Sequence, residues 1–504
     1  PALRSPALSW LYNNNPFYVI SAMLMLFAVR SAYGELQIGY INSWGMMGVL
    51  AAYTALLSAI GVVIVRRGKV WEDARSIFVT VLLLFLAVSV SADDLFVSFD
   101  SPLAGVSLLF CGYVFCAVVT EFVLHGSRIR LSAWYRLPLH LLLALFYVAP
   151  WWCSPDLHPR SVDELEWAIF LFPLAAALLL LLLWPAARKG PALVAENGTP
   201  WGWPMFPWTA FAVIAAAVGL RTFALCMTFG PSGTIWIPVI NKGLEISFDT
   251  MWGPYFLVPP VFSVLVLLLE GSIATGNRKL QQRLLWLAPI LLLLLAIPVS
   301  DAPVSRGFLL RIVSTVGAPL WLSVGLLIAF YSLASLRRVS GAFAGLLLAV
   351  TLLSVVGPET TNLRTLTSPQ PWPMVAVGMV LLVAGVRRRS SQLTTLACVG
   401  LSLALWLVLP ATSLRDWQNM ISLHVLGTAI VAISLAFKDE FSHVLRWLGA
   451  GLLPVAALAM LTTEVPPAFQ FGYVVAIVLV CYTIAIRWKI RAYLYAFLTL
   501  VSLG

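Results

Sequence analysis

The stretch from Val65 to Asp100, VRRGKVWEDARSIFVTVLLLFLAVSVSADDLFVSFD, decides how this chain is built. It opens on a basic cluster of Arg66, Arg67, Lys69 and Arg75. An uncharged apolar run follows from Ile77 to Ala92, and the stretch closes on Asp93, Asp94 and Asp100. Crossing ~30 Å of hydrocarbon at ~1.5 Å per helical residue takes roughly 20 mainly apolar residues, so the run and its flanks read as a membrane-spanning helix. Lys and Arg in short loops stay on the cytoplasmic side. The basic end therefore faces in and the acidic end faces out.

The composition extends this reading to the whole chain. Its 504 residues are 61% hydrophobic and 10% charged, with a mean hydropathy of +0.94. Soluble proteins carry about a quarter charged residues, so the fold class is an all-α polytopic integral membrane protein. The net charge of +10 would suggest nucleic acid if it sat in a soluble domain. Here the bases fall in short loops between spans, where they set topology and meet anionic lipid. Membrane lipids are the expected partners, and nucleic acid is not. The six cysteines form no CxxC and no Cys/His zinc spacing, so no metal or cofactor is expected. Cys153 and Cys226 fall near the same outer face, which leaves a disulfide between them open. The chain starts at Pro1 and stops at Gly504 inside an apolar run, as a segment of a longer protein would.

Apolar windows of ~20 residues give about 17 spans, the first from about Pro16 to Ala32 and the second from Trp44 to Val65. Span ten reads as one run from Phe308 to Leu336, and the seventeenth, from Tyr493, is cut short. The longest outer loop, Gly230 to Thr250, holds an apolar stretch, Thr234 to Ile240, that lies in the interface or re-enters. Asn197-Gly198-Thr199 has the form of a glycosylation sequon but falls on the inside. The strongly basic loops all fall on one side, which places the chain in a bacterial inner membrane with those loops cytoplasmic.

Self-similarity supplies a further layer. Pro16 and Arg30 of span one match Pro207 and Arg221 of span seven. Trp44-Gly45 matches Trp252-Gly253, and LLLFLAVSVS at Leu82–Ser91 matches LLLLLAIPVS at Leu291–Ser300. Arg130, Ser132 and Pro150 match Arg338, Ser340 and Pro358 in the same order. These matches predict tandem six-span units over residues 1–190 and 191–390, and a partial third unit over 391–504. An even number of spans keeps the units parallel.

Ionisable residues within spans are expensive and point to function. The repeat groups Arg30 with Asp93 and Asp94, and Arg221 with Asp301, at outer span ends. These five residues are candidate outer contacts for a zwitterionic or anionic headgroup, or else ion pairs that only hold the structure. Near the inner face Glu121 and His125 share one face of span four, and His140 lies one turn into span five. All three are candidate proton couplers. His424 is a hydrogen-bonded core histidine, and Glu270 lies at the inner surface.

No P-loop, nucleophile elbow, HExxH or dinucleotide fingerprint occurs in a usable context, which argues against an enzyme. The expected function is a transporter or flippase for an amphipathic solute or lipid. A non-catalytic membrane subunit, with other membrane subunits as partners, is the alternative. A polyprenyl-linked-donor glycosyltransferase, using the outer aspartates, is third.

Overall fold

The computed structural model describes residues 17–34, 40–98, 102–154, 157–158, 160–239, 243–361, 370–413, 415–461 and 466–503. The chain divides into two compact units, Pro1–Ala342 and Phe343–Gly504. Among the described residues, 13 helices are long and apolar enough to cross a membrane. The chain is thus a polytopic helical membrane protein. Of the expected spans, the first, eleventh, twelfth and last fall outside these 13. Their helices are Phe17–Gly34, Ala342–Leu352, Trp372–Arg388 and Arg491–Leu503.

The first unit runs through α1 (Phe17–Gly34), α2 (Tyr40–Val63), α3 (Trp71–Ser98), α4 (Pro102–Gly126), α5 (Ala133–Cys153) and α6 (Val162–Leu181). The short α7 (Trp184–Lys189) follows, then α8 (Met205–Thr228). An antiparallel hairpin of β1 (Ser232–Val239) and β2 (Gly243–Thr250) comes next, pairing Ser232 with Thr250 and Val239 with Gly243. The unit ends with α9 (Val258–Ala274), α10 (Arg278–Ala296), α11 (Pro303–Val316) and α12 (Pro319–Leu336). The second unit holds α13 (Ala342–Leu352), whose first residue lies on the boundary, and α14 (Trp372–Arg388), α15 (Ser391–Val408), α16 (Gln418–Ala436), α17 (Glu440–Leu461), α18 (Pro467–Trp488) and α19 (Arg491–Leu503).

Two sequence expectations change here. The loop stretch expected to lie in the interface or re-enter is largely strand β1, so among the described residues the fold is all-α apart from one two-stranded hairpin. Span ten is not one span. Gly317, at φ 98°, and Pro319 break it into α11 and α12. Proline cannot continue the hydrogen-bond ladder of a preceding helix, and glycine readily takes the positive φ that redirects the chain. The N-terminus of α11 is tied instead to the hairpin, where Asp249 accepts from the backbone N–H of Val304 at 2.6 Å and of Ser305 at 3.3 Å.

The basic turns share one geometry. Lys69, Arg128, Arg338, Arg389 and Lys489 all take positive φ, between 49° and 57°. In three of them the next N–H closes a bond five residues back: Ile129 to Leu124 at 2.8 Å, Val339 to Ala334 at 3.0 Å, and Ser390 to Gly385 at 2.9 Å. This is the Schellman termination, with Lys or Arg where glycine usually stands. In the first unit two of these turns are tied to neighbouring segments. Arg130 donates its N–H to the carbonyl of Asn197 at 2.8 Å, and Gln282 reaches the carbonyl of Ser340 at 3.1 Å.

In the second unit Asp439, between α16 and α17, accepts from the N–H and hydroxyl of Ser391 and from the N–H of Ser442. The Ser391 hydroxyl bond, with the two backbone donors, holds its carboxyl below the usual aspartate range. A depressed carboxyl stabilises the fold above the aspartate pKa of the unfolded chain and loses that contribution as pH falls through the folded value. Melting of the detergent-solubilised protein should therefore weaken on acidification below about pH 4, and Asp439→Asn should lose that component. Placing an L-residue in the left-handed region costs about 1–2 kcal/mol, and a β-branched one suffers most. Arg338 already bears that cost, so Arg338→Gly should melt at or slightly above the native chain, whereas Arg338→Val, which adds β-branching at the same φ, should melt below it.

Candidate functional site

The first unit is pinned near its hairpin side by a buried ion pair. Pro150 inside α5 has no N–H, so the carbonyl of Phe146 loses its helical donor. Arg221 of α8 supplies one, its Nη2 donating to that carbonyl at 3.0 Å and to Oδ1 of Asp93 at 2.7 Å. Nη1 donates to Oδ2 in a second close contact, completing a bidentate pair. Arg221 is fully buried and Asp93 is 1% exposed. Three helices, α3, α5 and α8, meet at this point about two turns from the end of α8.

Of the other outer candidates, Arg30 lies on α1 and Asp94 on α3, but their side chains fall outside the described residues, as does the whole of Asp100. Asp301 is exposed before α11, away from the pair that the repeat assigns it to. Arg221 pairs with Asp93 instead because α3 packs directly against α8.

Toward the basic face the structure brings together all three proton-coupling candidates. His140 Nε2 donates to Oε1 of Glu121 at 2.8 Å, and His125 Nδ1 donates to the Glu121 carbonyl at 2.9 Å. The sequence reading missed Arg136, which clamps both oxygens of Glu121, with Nε to Oε1 at 2.7 Å. Its position one turn before His140 on α5 was the available signal. The Glu121 carboxylate thus faces two titratable rings and one permanent cation.

Beside this cluster lies an apolar cavity of about 160 Å³, lined by residues that include Arg75, Phe85, Leu139, Leu143, Trp201 and Phe211. From Arg75 to Phe85 it runs along α3 for roughly 15 Å. Part of its lining, Trp201, comes from the loop before α8. There Asn197 accepts from the N–H and hydroxyl of Thr199 at 2.6 and 2.7 Å and donates its amide to the Trp201 carbonyl at 3.0 Å. The sequon is therefore a turn device. The indole of Trp201 sits edge-on to Trp71 at 5.4 Å.

A second cavity, between α2, α3, α4 and α5, is bordered by Thr54, Cys116 and Tyr147. Tyr147 donates to the Phe85 carbonyl at 3.1 Å, so the Cys116 thiol donates to the tyrosine oxygen at 3.1 Å. Cys153 and Cys226 are buried free thiols.

Further ion pairs hold the unit together. Arg311 of α11 contacts Glu166 and reaches Asp163 at 2.8 Å. Glu270, expected at the surface, is 1% exposed and is held by Arg337 through contacts of 2.9 to 3.1 Å. In the second unit His424 donates from Nδ1 to the Met420 carbonyl at 2.6 Å and accepts the Tyr473 hydroxyl. No group of three or more His, Cys, Asp or Glu that could hold a metal ion occurs among the described residues.

Removing one partner of a buried ion pair strands the other charge and costs about 3–5 kcal/mol, whereas replacing both with apolar groups is often neutral. Arg221→Met should therefore sharply lower the melting temperature of the purified protein, and the double variant Arg221→Met, Asp93→Leu should recover most of the loss. No family model matches this chain, and neither does any curated protein or solved structure.

Proposed function

We propose that this chain is a membrane carrier that moves an amphipathic solute or lipid across the bilayer. The observation that supports it best is the apolar cavity of the first unit, whose lining extends from Arg75, Ile129 and Leu131 to Phe85 and Leu143. Such a cavity suits a molecule with an apolar tail and a head that prefers positive charge. With the basic turns cytoplasmic in a bacterial inner membrane, the cavity loads from the cytoplasmic leaflet. The Glu121, Arg136, His140 and His125 cluster flanks the cavity wall formed by α4 and α5, where protonation of the histidines would alter the charge balance at the mouth. The tandem six-span repeat belongs to the same reading, with each unit contributing a parallel set of helices.

A second reading, a non-catalytic subunit of a larger membrane assembly, is favoured by the second unit. Its spans bury only 22 to 33% of their windows within the chain, which leaves broad apolar faces for lipid or partner helices. The transferase reading draws no support from Asp93, which is committed to Arg221.

The deciding experiment reconstitutes the purified chain in liposomes holding a fluorescent short-chain phospholipid and follows its access to an outside quencher, with and without a pH difference. Transfer faster than in protein-free liposomes, made insensitive to the pH difference by Glu121→Gln, is the expected result. Transfer equal to that of protein-free liposomes under both conditions would overturn the carrier reading in favour of the subunit.

A further inference from the structure

Helices α5 and α8 pack side by side and run in the same direction. Near their starts the ring of Tyr135 meets that of Trp208 at 6.0 Å. Farther along, Arg221 of α8 donates to the carbonyl of Phe146 on α5 at 3.0 Å. These two ties, in the same order on both helices, fix their register. Cys153 lies eighteen residues beyond Tyr135, and Cys226 lies eighteen beyond Trp208. At ~3.6 residues per turn, eighteen residues make about five whole turns, so each cysteine returns to the helix face that its aromatic partner occupies. The register that joins Tyr135 to Trp208 therefore also sets Cys153 opposite Cys226.

The surroundings agree with that placement. Both cysteines are buried, so both point into the bundle. Cys226 lies within Coulombic reach of Cys153, and Cys153 within reach of Asp93 and Arg221. The other four cysteines stand elsewhere. Cys116 donates to Tyr147, Cys111 is exposed on α4, and Cys398 and Cys481 belong to the second unit. Cys153 is the last residue of α5, and Cys226 lies in the last turn of α8. With the basic turns cytoplasmic, both thiols fall at the outer ends of their helices, toward the compartment where disulfides form and persist.

We propose that Cys153 and Cys226 form a disulfide that staples α5 to α8 at the outer face. Each thiol gives up its proton and one electron, and a bond forms between the two Sγ atoms. A disulfide-bearing oxidant outside the membrane accepts both electrons and both protons and is reduced to two thiols. The exchange takes place as α8 docks on α5, before the pair is sealed from the surface. The bond constrains the unfolded chain between the two positions. Leu139 and Leu143 of α5 and Phe211 of α8 line the apolar cavity, so with the outer ends joined, any widening of that cavity is confined to the inner ends of the two helices. The bridge rests on the carrier reading only for the outward orientation of these ends.

The test takes the full chain from membranes prepared without reductant, denatures it in the presence of a maleimide, and counts the labels by mass spectrometry. Of the six cysteines, all but Cys153 and Cys226 should take the label, and all six should do so after dithiothreitol. Digestion should recover the peptide of Cys153 bonded to that of Cys226, and Cys153→Ala should free Cys226 for labelling. A second sample is reduced, treated while folded with diamide, a small membrane-permeant two-electron oxidant, and then labelled in the same way. Six labels in both samples, or either cysteine bonded to a different partner, would overturn the pairing. A bridge that appears only after diamide would uphold the pairing and overturn the outward orientation. A bridged chain that moves no lipid in liposomes would overturn the carrier and leave the disulfide standing.

Discussion

A charge that leaves water for the interior of a membrane protein must find its counter-charge in a fixed place, and Arg221 finds Asp93. Desolvating two ions costs several kcal/mol each and is offset only when geometry and extra hydrogen bonds are good. Here the pairing is bidentate and the carbonyl of Phe146 takes a further guanidinium proton. That carbonyl is available because Pro150 cannot donate to it. The same device recurs in α10, where Pro289 frees the carbonyl of Leu285 and Tyr331 donates to it at 2.6 Å. In both places a proline within a helix frees an acceptor that a side chain on a neighbouring helix takes up. Helices that are greasy all round have little else to set their mutual register.

This anchor gives the first unit two unlike ends. On the hairpin side charges are matched and closed, by Asp93 with Arg221 and by Glu166 and Asp163 with Arg311. Farther along the same helices, aromatic rings including Phe85, Trp201 and Phe211 frame an apolar hollow that Arg75 borders. The aromatic loop owes its position to Asn197, whose side chain substitutes for backbone partners across Thr199 and Trp201.

The sequence revealed the helices, the basic turns and the residues that matter inside them, because hydropathy and charge are local properties. Asp93, Arg221, Glu121, His125 and His140 were all visible as charges in apolar surroundings. Their partners were less visible, since a pairing depends on which helices pack together. Repeat logic joined Arg221 to Asp301, and packing of α3 against α8 joined it to Asp93. Glu270 looked like a surface residue because Arg337 is distant along the chain. The break at Gly317-Ala318-Pro319 was hidden by the leucines on either side, although glycine followed so soon by proline is a strong local stop. Strand β1 was masked by the same apolar content that suggested an interfacial segment, while its β-branched residues, Thr234, Ile235, Ile237 and Val239, carried the contrary signal.

The five left-handed turns merge two instructions that chains usually write with separate residues. Glycine would end each helix with less strain, and a lysine or arginine elsewhere in the loop would supply the charge. Here one side chain stands at both positions, so a substitution that relieves the backbone strain, such as glycine, also removes a positive charge from the turn.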